Sequence, residues 1–122
     1  MSHLVLIVDD NENNRKLARD VLEFAGFDTV VASGGVEGVA LAMERKPDLV
    51  LMDIRMPDLS GTEALKLLRE DSRTAAIPIV ALTSSAMRGD EQRFIAEGFD
   101  GYLAKPISVR EFPDQVREFL RD

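Results

Sequence analysis

The chain has 122 residues, of which 45% are hydrophobic and 30% charged, and its 15 Lys and Arg against 22 Asp and Glu give a net charge of −7. This length and composition predict one folded domain over residues 1–122 and exclude a disordered chain. The absence of cysteine excludes disulfides and thiolate metal sites, and the acidic balance disfavours direct nucleic-acid binding. There is no bilayer-length apolar run and no secretory signal pattern, so we expect a cytoplasmic protein without membrane insertion.

The first half of the chain predicts two strand-helix units. Apolar runs at residues 4–8 and 29–32 have the length of buried strands. Each run is followed by apolar residues at the three- and four-residue intervals of one helical face, namely Leu17, Ala18, Val21, Leu22 and Ala25, then Val36, Val39, Ala40 and Met43. Gly26 and Pro47 are predicted to end these two helices.

The second half predicts three more such units, with strands at residues 49–52, 79–83 and 101–104. Ser60 and Glu63 match a capping box, before a third helix that should end near residue 70, and a fourth helix is expected over residues 90–96. The closing helix carries the apolar stripe Phe112, Val116, Phe119 and Leu120.

The start of the closing helix is ambiguous. Ser108 and Glu111 resemble a second capping box, but Pro113 would then remove a backbone hydrogen bond inside the helix. We therefore expect this helix to begin late or to be bent. Strict alternation of strands and helices predicts an α/β fold, with a parallel sheet covered by helices on both faces.

Polar residues follow or end four of the predicted strands: Asp9 and Asp10, Asp53, Thr83, and Lys105. The carboxyl ends of parallel strands form one crevice, so these side chains should converge there. Three carboxylates in one crevice repel one another unless some stay protonated or a cation is bound. Mg²⁺ prefers oxygen ligands, including carboxylates, water and phosphate, and we predict a magnesium site.

The same group predicts phosphoryl chemistry. An ammonium at Lys105 and a hydroxyl at Thr83 suit phosphate oxygens, and an aspartate can carry a phosphoryl group as an acyl phosphate. Asp53, on the predicted central strand, is the candidate nucleophile. Each residue alone is also typical of a turn, a cap or a solvated side chain, so the prediction depends on their combination.

The chain resembles a response regulator receiver domain of two-component signalling over its whole length. The resemblance is carried by five motifs: Val8-Asp9-Asp10-Asn11, Leu51 to Asp58, Ser60-Gly61, Ala81-Leu82-Thr83 and Lys105-Pro106. It implies a doubly wound, five-stranded parallel sheet with strand order 2-1-3-4-5 and five helices, a common doubly wound topology. It also implies a signalling protein whose catalysis is limited to its own phosphorylation and dephosphorylation.

The resemblance further implies a role for each site residue. Asp53 would accept a phosphoryl group from a histidine kinase or histidine phosphotransferase. Asp10, Asp53 and the backbone carbonyl of Arg55 would bind Mg²⁺, and Asp9 would assist through water. Thr83 and Lys105 would contact the phosphoryl oxygens. Thr83 and Tyr102 would form a switch that remodels the surface of the fourth helix, fifth strand and fifth helix.

Residues 86–91 and 105–109 resemble the DivK-like single-domain regulators of bacterial cell division and polarity. We expect a stand-alone receiver, because no linker or output domain follows the last predicted helix. A receiver portion of a larger hybrid kinase or regulator, and an interaction module that is never phosphorylated, are the alternatives. The Arg55 side chain could pair with Glu12, contact the phosphoryl group, or be solvated.

Overall fold

The computed structural model describes residues 3–84 and 90–120. Strands and helices alternate along the chain in the predicted order. The strands are β1 (Leu4–Val8), β2 (Asp28–Ala32), β3 (Leu49–Asp53), β4 (Ile79–Thr83) and β5 (Gly101–Ala104). The helices are α1 (Glu12–Phe24), α2 (Gly35–Arg45), α3 (Gly61–Glu70), α4 (Asp90–Glu97) and α5 (Phe112–Phe119).

The five strands form one parallel sheet in the order β2-β1-β3-β4-β5, which confirms the predicted topology. The chain order reverses direction between β1 and β3, and in open α/β sheets ligands bind at the carboxyl ends of the strands beside such a reversal. Val8 lies opposite Met52 in the register, so the residues that follow β1 lie beside the end of β3. The topology therefore places Asp9 and Asp10 next to Asp53.

The sheet separates two hydrophobic layers because alternate strand residues point to opposite faces. Val5 and Ile7 of β1 pack with residues of α1 and α5, including Leu22 and Phe112. On the other face, Leu6 and Val8 pack with α2, α3 and α4. Both faces of the central strands β3 and β4, and of β1 from Val5 onward, are buried, as expected for a parallel sheet covered on both sides. Among the described residues, no helix has the length and apolar character needed to cross a membrane.

Local sequence sets the start of α3 and of α5. The Ser60 side chain accepts from the Glu63 backbone N–H while Glu63 reaches back to the Ser60 N–H, so the predicted capping box is confirmed. Helix α5 begins late, as expected, with Glu111 as its N-cap and Pro113 in its first turn. Ser108 does not cap this helix: its hydroxyl accepts from the Glu111 N–H at 3.3 Å in the turn that precedes α5. One half of the second capping box is therefore present, in the turn before the helix, and α5 itself begins after it because Pro113 is tolerated only near a helix start.

Candidate metal and phosphoryl site

Three carboxylates converge at the carboxyl end of the sheet. Asp9 follows β1 and Asp53 is the last residue of β3, and these two residues are only 2% and 6% exposed. Asp10 lies beside them and is exposed. Each of the three can place one oxygen so that the three oxygens lie within 4.8 Å of one another. The site therefore consists of two buried carboxylates and one that faces solvent.

Lys105 lies between the two buried carboxylates. Its Nζ is 2.9 Å from Asp9 Oδ2 and 3.2 Å from Asp53 Oδ1. The Lys105 N–H donates to the Thr83 carbonyl at 2.7 Å, which extends the pairing between β4 and β5 to the edge of the site. The Lys105-Pro106 peptide bond is cis. One ammonium thus faces both carboxylates, and three carboxylates against one ammonium leave the cluster with excess negative charge.

The ionisation of Asp53 reflects this crowding. Burial, followed by the negative charge of Asp9, raises the pKa of Asp53 to about 6, although Lys105 opposes the shift. Burial alone would lower the pKa of Lys105, but its hydrogen bond to Asp9 and the charges of Asp53 and Asp9 outweigh that effect and raise it. Lys105 therefore stays charged, whereas Asp53 loses its proton only near pH 6.

Asp9 is held by its own chain neighbourhood. Its backbone N–H donates to the Ala32 carbonyl at 3.1 Å, and its Oδ1 accepts from the Asn11 N–H at 2.9 Å. Arg15, in the first turn of α1, donates through Nη1 to the Asp9 carbonyl at 2.9 Å. The sequence analysis missed Arg15, because only the fold shows that its side chain turns back toward the site.

The loop over residues 54–60 leaves the site beside Asp53. The Ile54 N–H donates to Leu82, and the Gly61 N–H returns to the Ile54 carbonyl at 2.9 Å. The Arg55 N–H approaches Asp53 Oδ1 at 3.4 Å, while its side chain is exposed. Within the described part of the chain, Arg55 forms no ion pair with Glu12, so of the three alternatives for this side chain the structure does not favour the pairing with Glu12.

The two predicted switch residues lie on neighbouring strands. Thr83 ends β4 and is 6% exposed. Tyr102 lies on β5, opposite Ala81 of β4, and is half-buried. Its ring centroid is 6.1 Å from that of Phe94, a buried residue of α4. Tyr102 therefore contacts the core below α4, and the switch role of both residues stays a prediction.

The residues present fit a hard divalent cation. The donor set contains only carboxylate oxygens, which Mg²⁺ prefers, and the single ammonium does not neutralise them. The exposed Asp10 leaves one side of the cluster accessible to the waters that Mg²⁺ usually retains. The predicted contribution of the Arg55 carbonyl stays a prediction.

The amino-acid sequence is similar to a known protein family and to individual response regulators. Residues 5–117 match the family model described as the response regulator receiver domain. The polar-differentiation response regulator DivK of Brucella anthropi is 44% identical over 122 residues, which cover 100% of this chain and 99% of that protein. DivK of Brucella ovis shows the same identity and coverage.

Solved structures with a similar fold include two related signalling proteins. The chemotaxis protein CheY4 of Vibrio cholerae has a TM-score of 0.91 and 29% identity, covering 98% of this chain and 100% of that chain. The receiver domain of sensor histidine kinase PA1611 from Pseudomonas aeruginosa has a TM-score of 0.87 and 29% identity, covering 98% of both chains. That structure has a magnesium ion coordinated in the active site cleft.

Proposed function

This chain belongs to the response regulator receiver family, and on that premise we propose that it is a signalling switch phosphorylated on Asp53. The observation that carries the proposal is the position of Asp53. It lies at the end of the central strand, buried beside Asp9 and within 3.2 Å of the Lys105 ammonium. A carboxylate needs these surroundings to become a phosphoryl acceptor, because negative charge accumulates there during transfer.

The reaction is a displacement at phosphorus. A carboxylate oxygen of Asp53 attacks the phosphorus of a phosphohistidine, an O–P bond forms, and the N–P bond breaks with its electron pair returning to the imidazole. Asp53 must be ionised to attack, and a pKa of about 6 leaves it mostly deprotonated above neutral pH. Bound Mg²⁺ would supply positive charge at the carboxylates and the transferring phosphoryl oxygens.

Lys105 and Thr83 take the remaining roles in this proposal. Lys105 is already oriented on Asp53 and would turn part of its charge toward the phosphoryl oxygens. Thr83 would donate its hydroxyl to the same group from the end of β4. Burial of Asp53 limits the water that could hydrolyse the acyl phosphate. Asp10 and Asp53 would hold the metal directly and Asp9 through water, and the Arg55 carbonyl would complete the set.

The output would pass through Tyr102 to the surface formed by α4, β5 and α5. Support comes from the contact between Tyr102 and Phe94, since a rotation of the tyrosine ring must change the packing under α4. The partner that supplies phosphate would be a histidine kinase or histidine phosphotransferase. The switch would then act by changing its affinity for a protein target, without direct contact to nucleic acid or insertion in a membrane.

Similarity to DivK over its full length favours a role in cell polarity or the cell cycle, in the cytoplasm. Of the DivK-like segment 86–91, residues 86–89 lie outside the described residues, so the structure adds nothing to that resemblance. A receiver portion of a hybrid kinase is the second candidate, favoured by the similarity to the receiver domain of the PA1611 sensor kinase.

The direct test is intact mass after incubation with acetyl phosphate and Mg²⁺. We expect one added phosphoryl group on the wild-type chain, and none with EDTA or in Asp53→Asn. Asp114→Asn, which changes a carboxylate that is 81% exposed, should be phosphorylated like the wild type. Failure of the wild type to gain phosphate, both here and from a phosphorylated histidine phosphotransferase, would leave the phosphorylation-independent interaction module as the better function.

A further inference from the structure

The N-terminus of α2 is capped by a residue from a different part of the chain. Gly34 is the N-cap residue and has no side chain to cap the helix. Asp58, in the loop after Asp53, supplies the cap: its Oδ1 accepts from the Gly35 N–H and its Oδ2 from the Val36 N–H, both at 3.1 Å. Asp58 Oδ1 also accepts from the Leu59 N–H at 2.8 Å. The loop over residues 54–60 is thus attached to a helix 23 residues earlier.

The contact between loop and helix leaves no room for side chains at the helix start. A Cβ on Gly34 would lie 2.9 Å from Asp58 Oδ2, and a Cβ on Gly35 would lie 2.7 Å from the Leu59 carbonyl oxygen. At Gly35 the close contact is with the loop backbone, and at Gly34 it is with the Asp58 carboxylate itself. The two glycines therefore let the loop backbone and the Asp58 side chain approach the start of α2 closely.

Helix α2 is itself fixed on the strand that leads to the other two carboxylates. A Cβ on Gly38 would lie 2.7 Å from Val8 Cγ2, so α2 packs directly against the end of β1. Val8 precedes Asp9 and Asp10. Asp58 therefore connects the loop that follows Asp53 to α2, the helix that packs against Val8. The position of Asp53 is thereby linked to the positions of Asp9 and Asp10.

We propose that Asp58 is a positioning residue of the metal site, fixing the loop that carries Arg55 relative to the aspartates that follow β1. This inference rests on the proposed function, since it concerns the same Mg²⁺ and phosphoryl site. Asp58 is not a metal ligand here, because both of its oxygens accept backbone N–H groups of α2. Backbone hydrogen bonds from Val36 and Gly35 lower the pKa of Asp58, so the link stays charged at neutral pH.

The loop has other attachments besides Asp58. The Ile54 N–H donates to Leu82 of β4, the Gly61 N–H donates to the Ile54 carbonyl, and Met56 is buried in the core layer that includes α2 and β1. The two backbone bonds lie on the Asp53 side of the site. The hydrogen bonds of Asp58 join the loop to α2 on the β1 side, so loss of this carboxylate should loosen Arg55 relative to Asp9 and Asp10 while β3 stays in place.

The test compares Asp58→Ala and Asp58→Asn with wild type by calorimetric Mg²⁺ titration of the full chain. Residues that orient metal ligands typically change affinity by 10- to 100-fold, so we expect Asp58→Ala to weaken Mg²⁺ binding by about 10-fold. Asp58→Asn keeps one oxygen acceptor, so its Mg²⁺ affinity should lie between those of the wild type and Asp58→Ala. The acetyl phosphate reaction should slow for both variants at subsaturating Mg²⁺.

Asp100→Asn is the matched control. Asp100 holds Arg69 and the Ile79 N–H at the opposite end of the sheet, so its loss lowers the melting temperature without touching the site. We expect it to bind Mg²⁺ as the wild type does. Asp58 variants that melt earlier but bind Mg²⁺ within about twofold of wild type would overturn the inference and leave the proposed function intact. A wild type that binds no Mg²⁺ would overturn both.

Discussion

The Lys105 ammonium donates a hydrogen bond of 2.9 Å to the Asp9 carboxylate, although 96 residues separate them in the chain. The same Nζ lies 3.2 Å from Asp53 Oδ1, so a single cation is shared between two buried carboxylates. This arrangement explains how the fold tolerates the carboxylates before a metal or phosphoryl group arrives. It also makes Lys105 the residue whose removal should change the site most directly.

Replacing Lys105 with Met should destabilise the metal-free protein, because it leaves two buried carboxylates without their cation. Breaking a buried ion pair typically costs about 3 to 5 kcal/mol, and the 15% exposure of the Lys105 side chain places this case toward the lower end. Mg²⁺ binding should become tighter because a competing positive charge is removed. Chemical denaturation with and without Mg²⁺ measures both effects.

The control for Lys105→Met is Lys66→Met, on the exposed face of α3. It should change neither the free energy of unfolding nor the Mg²⁺ affinity. Equal effects of Lys105→Met and Lys66→Met would show that Lys105 does not offset the charge of Asp9 and Asp53.

The pH dependence of stability should reveal the raised pKa of Asp53. Its pKa is raised from 3.8 to about 6 on folding, so the folded state favours the protonated form. The folded state is therefore stabilised by protonated Asp53. This contribution is fully present below pH 3.8 and is lost as the pH rises through about 6. In EDTA, Asp53→Asn should be more stable than wild type by about 1 to 3 kcal/mol at pH 8, and the difference should vanish near pH 4.

Urea denaturation of wild type and Asp53→Asn in EDTA across this pH range tests the sign of their difference in free energy of unfolding. Mg²⁺ should reverse the difference at pH 8, because only the wild type keeps all three carboxylates. A wild type that is the more stable of the two at pH 8 without metal would contradict the raised pKa.

Tyrosine fluorescence gives a direct view of the predicted switch. Tyr102 is the only tyrosine, and the chain has no tryptophan, so the intrinsic emission reports on this one ring. Phosphorylation should change that emission if Tyr102 turns against Phe94. In Thr83→Ala the phosphoryl group should still be detected by mass, but the emission change should be lost.

Phe94→Leu separates the tyrosine from its neighbour on α4. It keeps an apolar core side chain but removes the ring 6.1 Å from Tyr102. We expect an altered emission already before phosphorylation. An emission change of wild-type size in Thr83→Ala would argue against coupling between Thr83 and Tyr102.

Gly61→Ala should disturb the site through the backbone. A Cβ at Gly61 would collide with the Asp53 carbonyl oxygen and lie 2.9 Å from Ile54 Cα. Neither contact is with a flexible side chain, so β3 or α3 must move, at a cost of about 1 to 3 kcal/mol. We expect weaker Mg²⁺ binding together with the loss of stability.

Gly26→Ala is the matched glycine control. Its φ of +100° makes alanine strained, but a Cβ there meets nothing within 4 Å, and the residue follows α1 away from the site. It should cost about 1 kcal/mol and leave Mg²⁺ binding unchanged. Calorimetry on both variants would contradict the argument if Gly26→Ala weakened Mg²⁺ binding as much as Gly61→Ala.

Arg69 should matter for stability alone. Its guanidinium donates to the carbonyls of Ala75, Ile77 and Gly98 and pairs with Asp100 at 2.7 Å. Arg69→Met leaves these acceptors without their donor, and we expect a loss of about 2 to 4 kcal/mol in urea denaturation. Arg110→Met, at an exposed position, should cost less than about 0.5 kcal/mol. Wild-type stability of Arg69→Met would contradict this role.

Local sequence patterns alone predicted the order of strands and helices and the identity of the residues at the strand ends. The reason is physical: burial on both faces requires continuous apolar strands, and helices require their own apolar spacing, so both leave a local pattern. The Ser60 capping box could also be predicted from the sequence, because all of its partners lie within four residues. Resemblance to a known family supplied the strand order.

Contacts between distant side chains could be identified only in the folded chain. The bond from Lys105 to Asp9, the Arg15 contact with the Asp9 carbonyl, and the cap that Asp58 places on α2 depend on side-chain direction in the folded chain. No periodic pattern encodes such directions. The raised pKa of Asp53 likewise arises from burial and neighbouring charge, which exist only once β1, β3 and β5 lie side by side with β4 in one sheet.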